Sequence, residues 1–333
     1  MKTFLKRLLL FSIPPIIILI IVLGTFFIFD PFKILKKYDE FYSSIIEYNE
    51  DYVATERYLK NKNSYNSYIL GSSRAGCGFQ TRSWLKYLKK DDRAYSYTAS
   101  NESIFGMRGK LRLIDNEECK IENVLLIIDL DITLKKLVNS HGHLYIKHPL
   151  ISGESTKNFI AEYIKDYIFT GFFIAYLDYK LFKSKREYMN RFFDFNINEN
   201  EKYISFNTEH KEKLIKTDEF RYYEEKKNIF YERDSIKIFS EKQFFSQAVE
   251  YFNEINGIFK KHKTKYKIII SPLYDQKEIN NADLTILCEI FGKENVYNFS
   301  GINFITNQKH NYYEKSHYRI QVGNEILRNI YQN

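Results

Sequence analysis

Hydrophobic positions along the chain fall into three kinds of pattern. The first is a continuous run, Leu8 to Phe29 (LLLFSIPPIIILIIVLGTFFIF), without a single charge. As a helix it would span roughly 33 Å, about the thickness of a bilayer's hydrocarbon core. It is apolar all round, so it does not read as a soluble helix with one buried face. Its end is bulky (Phe26, Phe27, Phe29) and offers no small-x-small cleavage site. The segment reads as an uncleaved transmembrane anchor, with Pro14-Pro15 expected to kink or start the helix. Basic residues flank it on both sides, Lys2, Lys6 and Arg7 before and Lys33, Lys36 and Lys37 after, so charge asymmetry barely discriminates orientation. A tail of residues 1–7 this short is expected to stay in the cytoplasm. The rest of the chain would then lie outside it, as a single-pass protein of the cell membrane.

The second pattern is a set of short apolar runs, each ending at a turn residue or an acid. Ser67–Leu70, Ala94–Thr98, Val124–Asp129, Tyr266–Ser271 and Val296–Phe299 read as strands. Val124–Asp129 (VLLIID) is nearly continuous, the pattern of a strand buried on both faces of a parallel sheet. The third pattern is helical spacing between those runs. Ile104, Met107, Leu111 and Ile114 show it, and Phe245, Ala248, Val249, Phe252, Ile255 and Phe259 show it more clearly. Ile320–Ile330 looks like a closing helix. Strands alternating with helices predict an α/β fold, a three-layer sandwich around a central parallel sheet. In such sheets the site lies at the carboxyl ends of the strands.

Residues 30–62 are expected to be a polar, helix-leaning connector, and 63–333 an α/β domain. Residues 135–243 break the rhythm and read as a large insertion, a lid or subdomain. It holds an aromatic stretch, Phe159 to Phe182, followed by a charged, Asn-rich one. Within it Tyr167–Leu177 is short and polar-flanked for a second span; packing onto the core is expected.

Composition changes this picture little. The chain has 333 residues, 44% of them hydrophobic, which suits one large core plus an anchor. Its formal charge of +8 comes from 50 Lys+Arg against 42 Asp+Glu. The basic residues are scattered and mixed with acids, as in Glu209–Glu232, which argues against a nucleic-acid partner. A mild positive charge also suits work beside anionic lipid or acidic glycan. The three cysteines, Cys77, Cys119 and Cys288, form no C-x-x-C pair, so a cysteine-based zinc site is not expected.

Two segments carry candidate chemistry. In Tyr68-Ile-Leu-Gly-Ser-Ser-Arg-Ala75 a strand runs into Gly71 and then Ser72-Ser73. A hydroxyl there is exposed at the sheet's carboxyl edge, where backbone N–H groups can stabilise an oxyanion. An N-cap serine is the plain alternative. The second segment is Asn311-Tyr-Tyr-Glu-Lys-Ser-His-Tyr-Arg319. A Glu three residues before a His can set its carboxylate against the imidazole, orienting the ring and stabilising its protonated form.

Strand–Gly–Ser–Ser near the start and acid–x–x–His near the end resemble blocks I and V of the SGNH (GDSL-like) hydrolase superfamily. Its Gly-Asp-Ser corresponds to Gly71-Ser72-Ser73 and its Asp-x-x-His to Glu314-Lys315-Ser316-His317. Gly-Ser-Ser-Arg and His-Tyr-Arg look most like the membrane-anchored branch concerned with polysaccharide O-acetylation and teichoic-acid D-alanylation. The resemblance covers roughly 64–332 apart from the insertion and implies an SGNH/flavodoxin-like sheet. It also implies Ser73 as nucleophile, His317 as base and Glu314 as its orienting acid. The family's second block supplies a Gly N–H to the oxyanion hole; here Ser96-Tyr-Thr-Ala-Ser-Asn101 has Ser100 or Asn101 at that place. Its third block is Gly-x-Asn-Asp, whereas this strand ends Ile128-Asp129-Leu130-Asp131 with no such Asn.

Other residues fit two readings each. Arg74 suits an anionic glycan or headgroup, or an internal ion pair. Asp129 and Asp131 suit a metal pair or, as strand-end aspartates usually do, loop anchors; no metal is expected. His141 and His143 form an H-x-H without evident carboxylate partners and read as loop residues, and Cys77 as a small packing residue. The expected function is a serine esterase or O-acyltransferase acting outside the cytoplasm on cell-envelope or exported polysaccharide. It would use no cofactor, with a membrane-bound acyl-donor protein as partner. The rivals are an inactive SGNH-like module that binds glycan or scaffolds an envelope assembly, and a lipid-acting esterase.

Overall fold

The computed structural model describes residues 1–38, 45–195, 208–233 and 236–332. The chain divides into two compact units. One comprises Met1–Asn49, His141–Pro149 and Glu154–Tyr203; the other comprises Glu50–Ser140, Leu150–Gly153 and Ile204–Asn333.

The second unit is α/β. Its strands in chain order are β1 (Ser67–Leu70), β2 (Ala94–Ser96), β3 (Asn123–Ile128), β4 (Ile238–Phe239), β5 (Lys265–Ile270), β6 (Lys277–Glu278), β7 (Val296–Asn298), β8 (Tyr312–Glu314) and β9 (His317–Tyr318). Five of them form one parallel sheet in the order β2-β1-β3-β5-β7. These are the five strands expected from the apolar runs, with ends displaced by a residue or two. The displacement has a simple cause: the runs mark where the chain is buried, while the ladder of hydrogen bonds marks the strand. Pairs β4–β6 and β8–β9 are separate two-stranded elements.

Alternation along each strand sends side chains to two faces. Tyr68, Leu70, Val124, Leu126, Ile128, Ile268 and Ile270 join one core, built with the helices Ile104–Asn116, Ser246–His262 and Asn281–Phe291. Ile69, Leu125, Ile127 and Ile269 join another, built with the helix Ile320–Gln332 and with Ile215, Tyr222 and Tyr223. Helices therefore cover both faces, as the alternating pattern predicted. The order turns back at β1 and β3, and the crevice between their carboxyl ends is where a doubly wound sheet exposes a site.

The α/β unit begins earlier than position 63. The helix Glu50–Asn61 buries Val53 and Tyr58, and Tyr58 stacks on Tyr97 with ring centroids 5.3 Å apart. Only residues 30–49 of the expected connector lie outside it, and 39–44 are outside the described residues. The expected insertion 135–243 does not form one body either: 208–233 belong to the α/β unit, and 196–207 and 234–235 are outside the described residues.

The first unit contains the helix Lys2–Phe29, the one helix among the described residues long and apolar enough to cross a membrane. It starts at Lys2 and runs through Pro14 and Pro15, so the prolines do not start it. The apolar sequence continues on both sides of them, and the lost N–H donors remain a local defect. The helix ends at Asp30 in the left-handed region, where the Asp30 carboxylate accepts the N–H groups of Ile34 and Leu35 at 2.9 Å each. The aromatic stretch forms the helices Thr156–Phe169 and Phe172–Phe182. They group with this N-terminal segment in the first unit. Phe32 meets Tyr163 and Phe172 at 5.3 and 4.6 Å, and Phe26 meets Tyr167 at 5.4 Å. His141 and His143 are loop residues, yet both face a carboxylate: His143 Nδ1 lies 2.8 Å from Asp166 and His141 Nδ1 3.7 Å from Glu162.

Candidate active site

The chain leaves β1 through Gly71 and turns at once into the short helix Ser73–Gly78. Gly71 is required there: a Cβ would come within 2.6 Å of the Ala75 side chain and 3.1 Å of that of Ile127. Ser72 is the N-cap. Its Oγ accepts the Arg74 N–H at 3.1 Å, and its hydroxyl donates to Asp129 at the end of β3. Ser73, the next residue, presents its hydroxyl at the carboxyl edge.

Glu314 and His317 stand opposite each other on β8 and β9. His317 Nε2 lies 2.9 Å from Ser73 Oγ, and His317 Nδ1 is hydrogen-bonded to Glu314 Oε1. The other carboxylate oxygen of Glu314 accepts the Ser316 N–H at 2.7 Å. Burial works to raise the Glu314 carboxyl; the hydrogen bond and charge of His317 and the Ser316 N–H outweigh it, holding the group below its usual range. An ionised carboxylate fixes the Nδ1–H tautomer and leaves Nε2 as the proton acceptor for Ser73.

Two glycines let these distant segments meet. A Cβ on Gly78 would stand 2.1 Å from the Tyr318 ring, and one on Gly323 would stand 2.0 Å from the Gly78 carbonyl oxygen. The serine helix therefore lies directly against β9 and the C-terminal helix. A second support comes from the helices Glu209–Thr217 and Glu219–Glu225, in the stretch expected to be a lid. Tyr222 and Tyr223 donate to the carbonyls of Tyr313 and Tyr312 at 3.0 and 2.8 Å. Glu212 receives Arg319 on both carboxylate oxygens, at 3.0 and 2.8 Å, and the Tyr313 hydroxyl at 2.7 Å. These bonds brace the hairpin that carries the acid and the histidine. The Tyr222-Tyr223 pair within a charged stretch was the available signal for them.

The remaining expected site residues turn inward or are otherwise engaged. The side chain of Arg74 is 8% exposed. Its guanidinium forms a two-pronged pair with Asp131, and its Nε–H donates to the Ser316 carbonyl at 2.6 Å. The ion-pair reading thus describes its contacts. Ser72 is fully buried on Asp129 and holds the turn rather than facing a ligand. Asp129 is fully buried too. Desolvation pushes its carboxyl up, against the pull of Arg74, Ser271 and Ser72. Asp131 is spent on Arg74, and no cluster of metal-binding side chains occurs among the described residues. Cys77 is buried four positions after Ser73, and burial pushes its thiol up to about 12, which disfavours the reactive thiolate.

Beyond β2 the chain continues through Ser100 beside the Ser72-Ser73 turn. Tyr97 N–H bonds to the Ile69 carbonyl at 2.9 Å and Ala99 N–H to that of Gly71 at 3.3 Å. Asn101 has φ 55°, the left-handed conformation that suits glycine and that asparagine tolerates. The Ser100 N–H is taken: it donates to Glu50 Oε2 at 2.6 Å. Glu50, at the start of its helix, is half-buried and close enough to interact with the charges of Lys110 and His317. Sequence reasoning missed it, because nothing local in a polar segment before a helix marks it as part of a site.

No family model matches the chain, and no curated protein is similar to it at a significant level.

Proposed function

We propose that this chain is a membrane-anchored, SGNH-like serine esterase or O-acyltransferase whose α/β unit works outside the cytoplasm on cell-envelope or exported polysaccharide. The observation that carries the reading is the relay Ser73–His317–Glu314, with 2.9 Å between Ser73 Oγ and His317 Nε2. Its parts come from opposite ends of the α/β unit, and they meet at the sheet's switch point, where ligands bind in such folds.

The chemistry follows from the geometry. Ser73 Oγ attacks the carbonyl carbon of an ester while His317 Nε2 takes the hydroxyl proton. The tetrahedral adduct collapses, the ester C–O bond breaks, and His317 returns the proton to the departing alcohol. The acyl group is then on Ser73. A sugar hydroxyl or water, deprotonated by His317, attacks it and restores the serine. Glu314 keeps its charge throughout and stabilises the imidazolium. The acceptor glycan and the extracytoplasmic placement rest on the resemblance of the two motifs and on the apolar N-terminal helix.

A second reading has an observation of its own. The Ser100 N–H is occupied by Glu50, and the strand end Ile128-Asp129-Leu130-Asp131 offers no Asn of the kind the third block would supply. That pattern also fits an inactive module that binds glycan. Release of acetate from a chromogenic acetyl ester and from an acetylated polysaccharide separates the two, using the full chain in detergent. Turnover that disappears in Ser73→Ala supports the enzyme. Equal background rates in both proteins, with saturable glycan binding unchanged by Ser73→Ala, support the module.

A further inference from the structure

Glu50 has a carboxylate oxygen 2.6 Å from the Ser100 N–H. That N–H lies one residue beyond Ala99, whose own N–H bonds to Gly71, so Glu50 sits beside the turn that presents Ser73. Among the described residues the surroundings carry an excess of acid. Lys110 is fully buried and already meets two other carboxylates, Asp51 at 3.0 Å and Glu102, and it also donates to the Tyr97 carbonyl at 3.2 Å. Among the described residues the other titratable groups near Glu50 are His317, with Glu314 behind it, and the buried Cys77 thiol. One ammonium among three carboxylates favours proton uptake by the carboxyl that is worst compensated. Burial is the largest influence on Glu50 and raises it, against Ser100, Lys110 and His317.

Ionised, Glu50 accepts the Ser100 N–H and has no proton to give. Neutral, it accepts the Ser100 N–H with one oxygen and has an O–H to give with the other. A carboxylic acid kept neutral by its environment is a known way of building an oxyanion donor. We propose that Glu50 is an oxyanion-side residue of the reaction centre: held on the Ser100 N–H, its protonated carboxyl donates a hydrogen bond to the oxyanion that forms when Ser73 adds to its substrate. The inference rests on the serine-hydrolase reading. It assigns to this chain the donor that the third sequence block lacks.

The test uses the full chain in detergent and a neutral alkyl fluorophosphonate, whose phosphoryl oxygen takes the oxyanion's place. The rate of Ser73 modification is followed from about pH 5 to 9. Wild type should lose rate on the alkaline side as Glu50 ionises. Glu50→Gln keeps both an acceptor for Ser100 and a donor for the oxyanion, so its rate should hold flat there. Glu50→Ala should be slower by about 100-fold at every pH. A Glu50→Gln profile that copies the wild type, or a folded Glu50→Ala protein within about threefold of it, overturns the role of Glu50 and leaves the hydrolase reading standing. The profile of the isosteric Gln variant decides the matter if the Ala variant does not fold. A wild type that takes no label at any pH overturns the hydrolase reading, and this inference with it.

Discussion

The contact between Gly323 and Gly78 brings the serine helix against the C-terminal helix, and Gly323→Ala tests whether that approach positions the proposed relay. The added methyl would start 2.0 Å from the Gly78 carbonyl oxygen, 2.5 Å from its carbon and 3.2 Å from the Phe79 nitrogen. All three atoms are backbone, so no flexible side chain can give way. Ordinary contact begins near 3.4 Å, so the serine helix and the C-terminal helix must part by about 1.4 Å. That is close to half the 2.9 Å between Ser73 Oγ and His317 Nε2. A displacement of this size breaks the hydrogen bond and costs on the order of 100-fold in rate. Overpacking of this kind costs about 1–3 kcal/mol, a drop in Tm of roughly 2–10 °C. The assay is paired: Ser73 labelling by a fluorophosphonate, and thermal unfolding followed by circular dichroism. Labelling slowed on the order of 100-fold in a protein that still unfolds cooperatively is the expected result. A Gly323→Ala protein with wild-type labelling and wild-type Tm would refute the claim that this approach positions the relay.

Two further variants probe the same assembly. Glu314→Gln should cut esterase turnover by about 10³–10⁴-fold, because an amide does not hold the histidine in the tautomer that accepts a proton at Nε2. It should also alter acid stability. The Glu314 carboxyl is depressed in the folded state, so its stabilisation is full above the unfolded carboxyl value and is lost as pH falls through the depressed one. Urea titrations over that acid range should show a shallower loss of stability in the variant, and an unchanged slope would contradict the assignment. Arg319→Met leaves the shielded Glu212 carboxylate without its partner and should cost about 3 kcal/mol, visible as a lowered urea midpoint together with slower Ser73 labelling.

Much of the α/β unit was legible because its strands are buried on both faces. Ile127 and Ile128 can both be apolar only if each side of the sheet is covered, and a run such as Val124–Ile128 says so without help from its neighbours. Ser73 was legible for a local reason as well: a strand, a glycine and two serines leave few geometries other than a tight exposed turn. Glu314 and His317 could be paired from their spacing. What stayed hidden was set by tertiary contact. Glu50 reaches Ser100 across half a hundred residues of sequence, and no pattern at either position announces it. Arg74 has the chemistry of an anion site and an ion pair alike, and only the position of Asp131 distinguishes them. The stretch Phe159 to Phe182 was recognisable as aromatic and apolar, but its two helices, Thr156–Phe169 and Phe172–Phe182, were not. Their partners, Phe26 and Phe32, lie at the far end of the chain, where periodicity gives no address. Pro14 and Pro15 are a further instance: the apolar run around them outweighs a rule drawn from isolated residues.

The measurement that bears most directly on the account is mapping of a serine-directed fluorophosphonate on the full chain. Wild type, Ser73→Ala and His317→Ala would be labelled in parallel, and the modified peptide identified by mass spectrometry. The account predicts one modified residue, Ser73, with labelling absent from Ser73→Ala and strongly reduced in His317→Ala. A folded wild-type protein that takes no label, or takes it at another residue, or labels Ser73 equally well without His317, would contradict the claim that these side chains form an activated nucleophile.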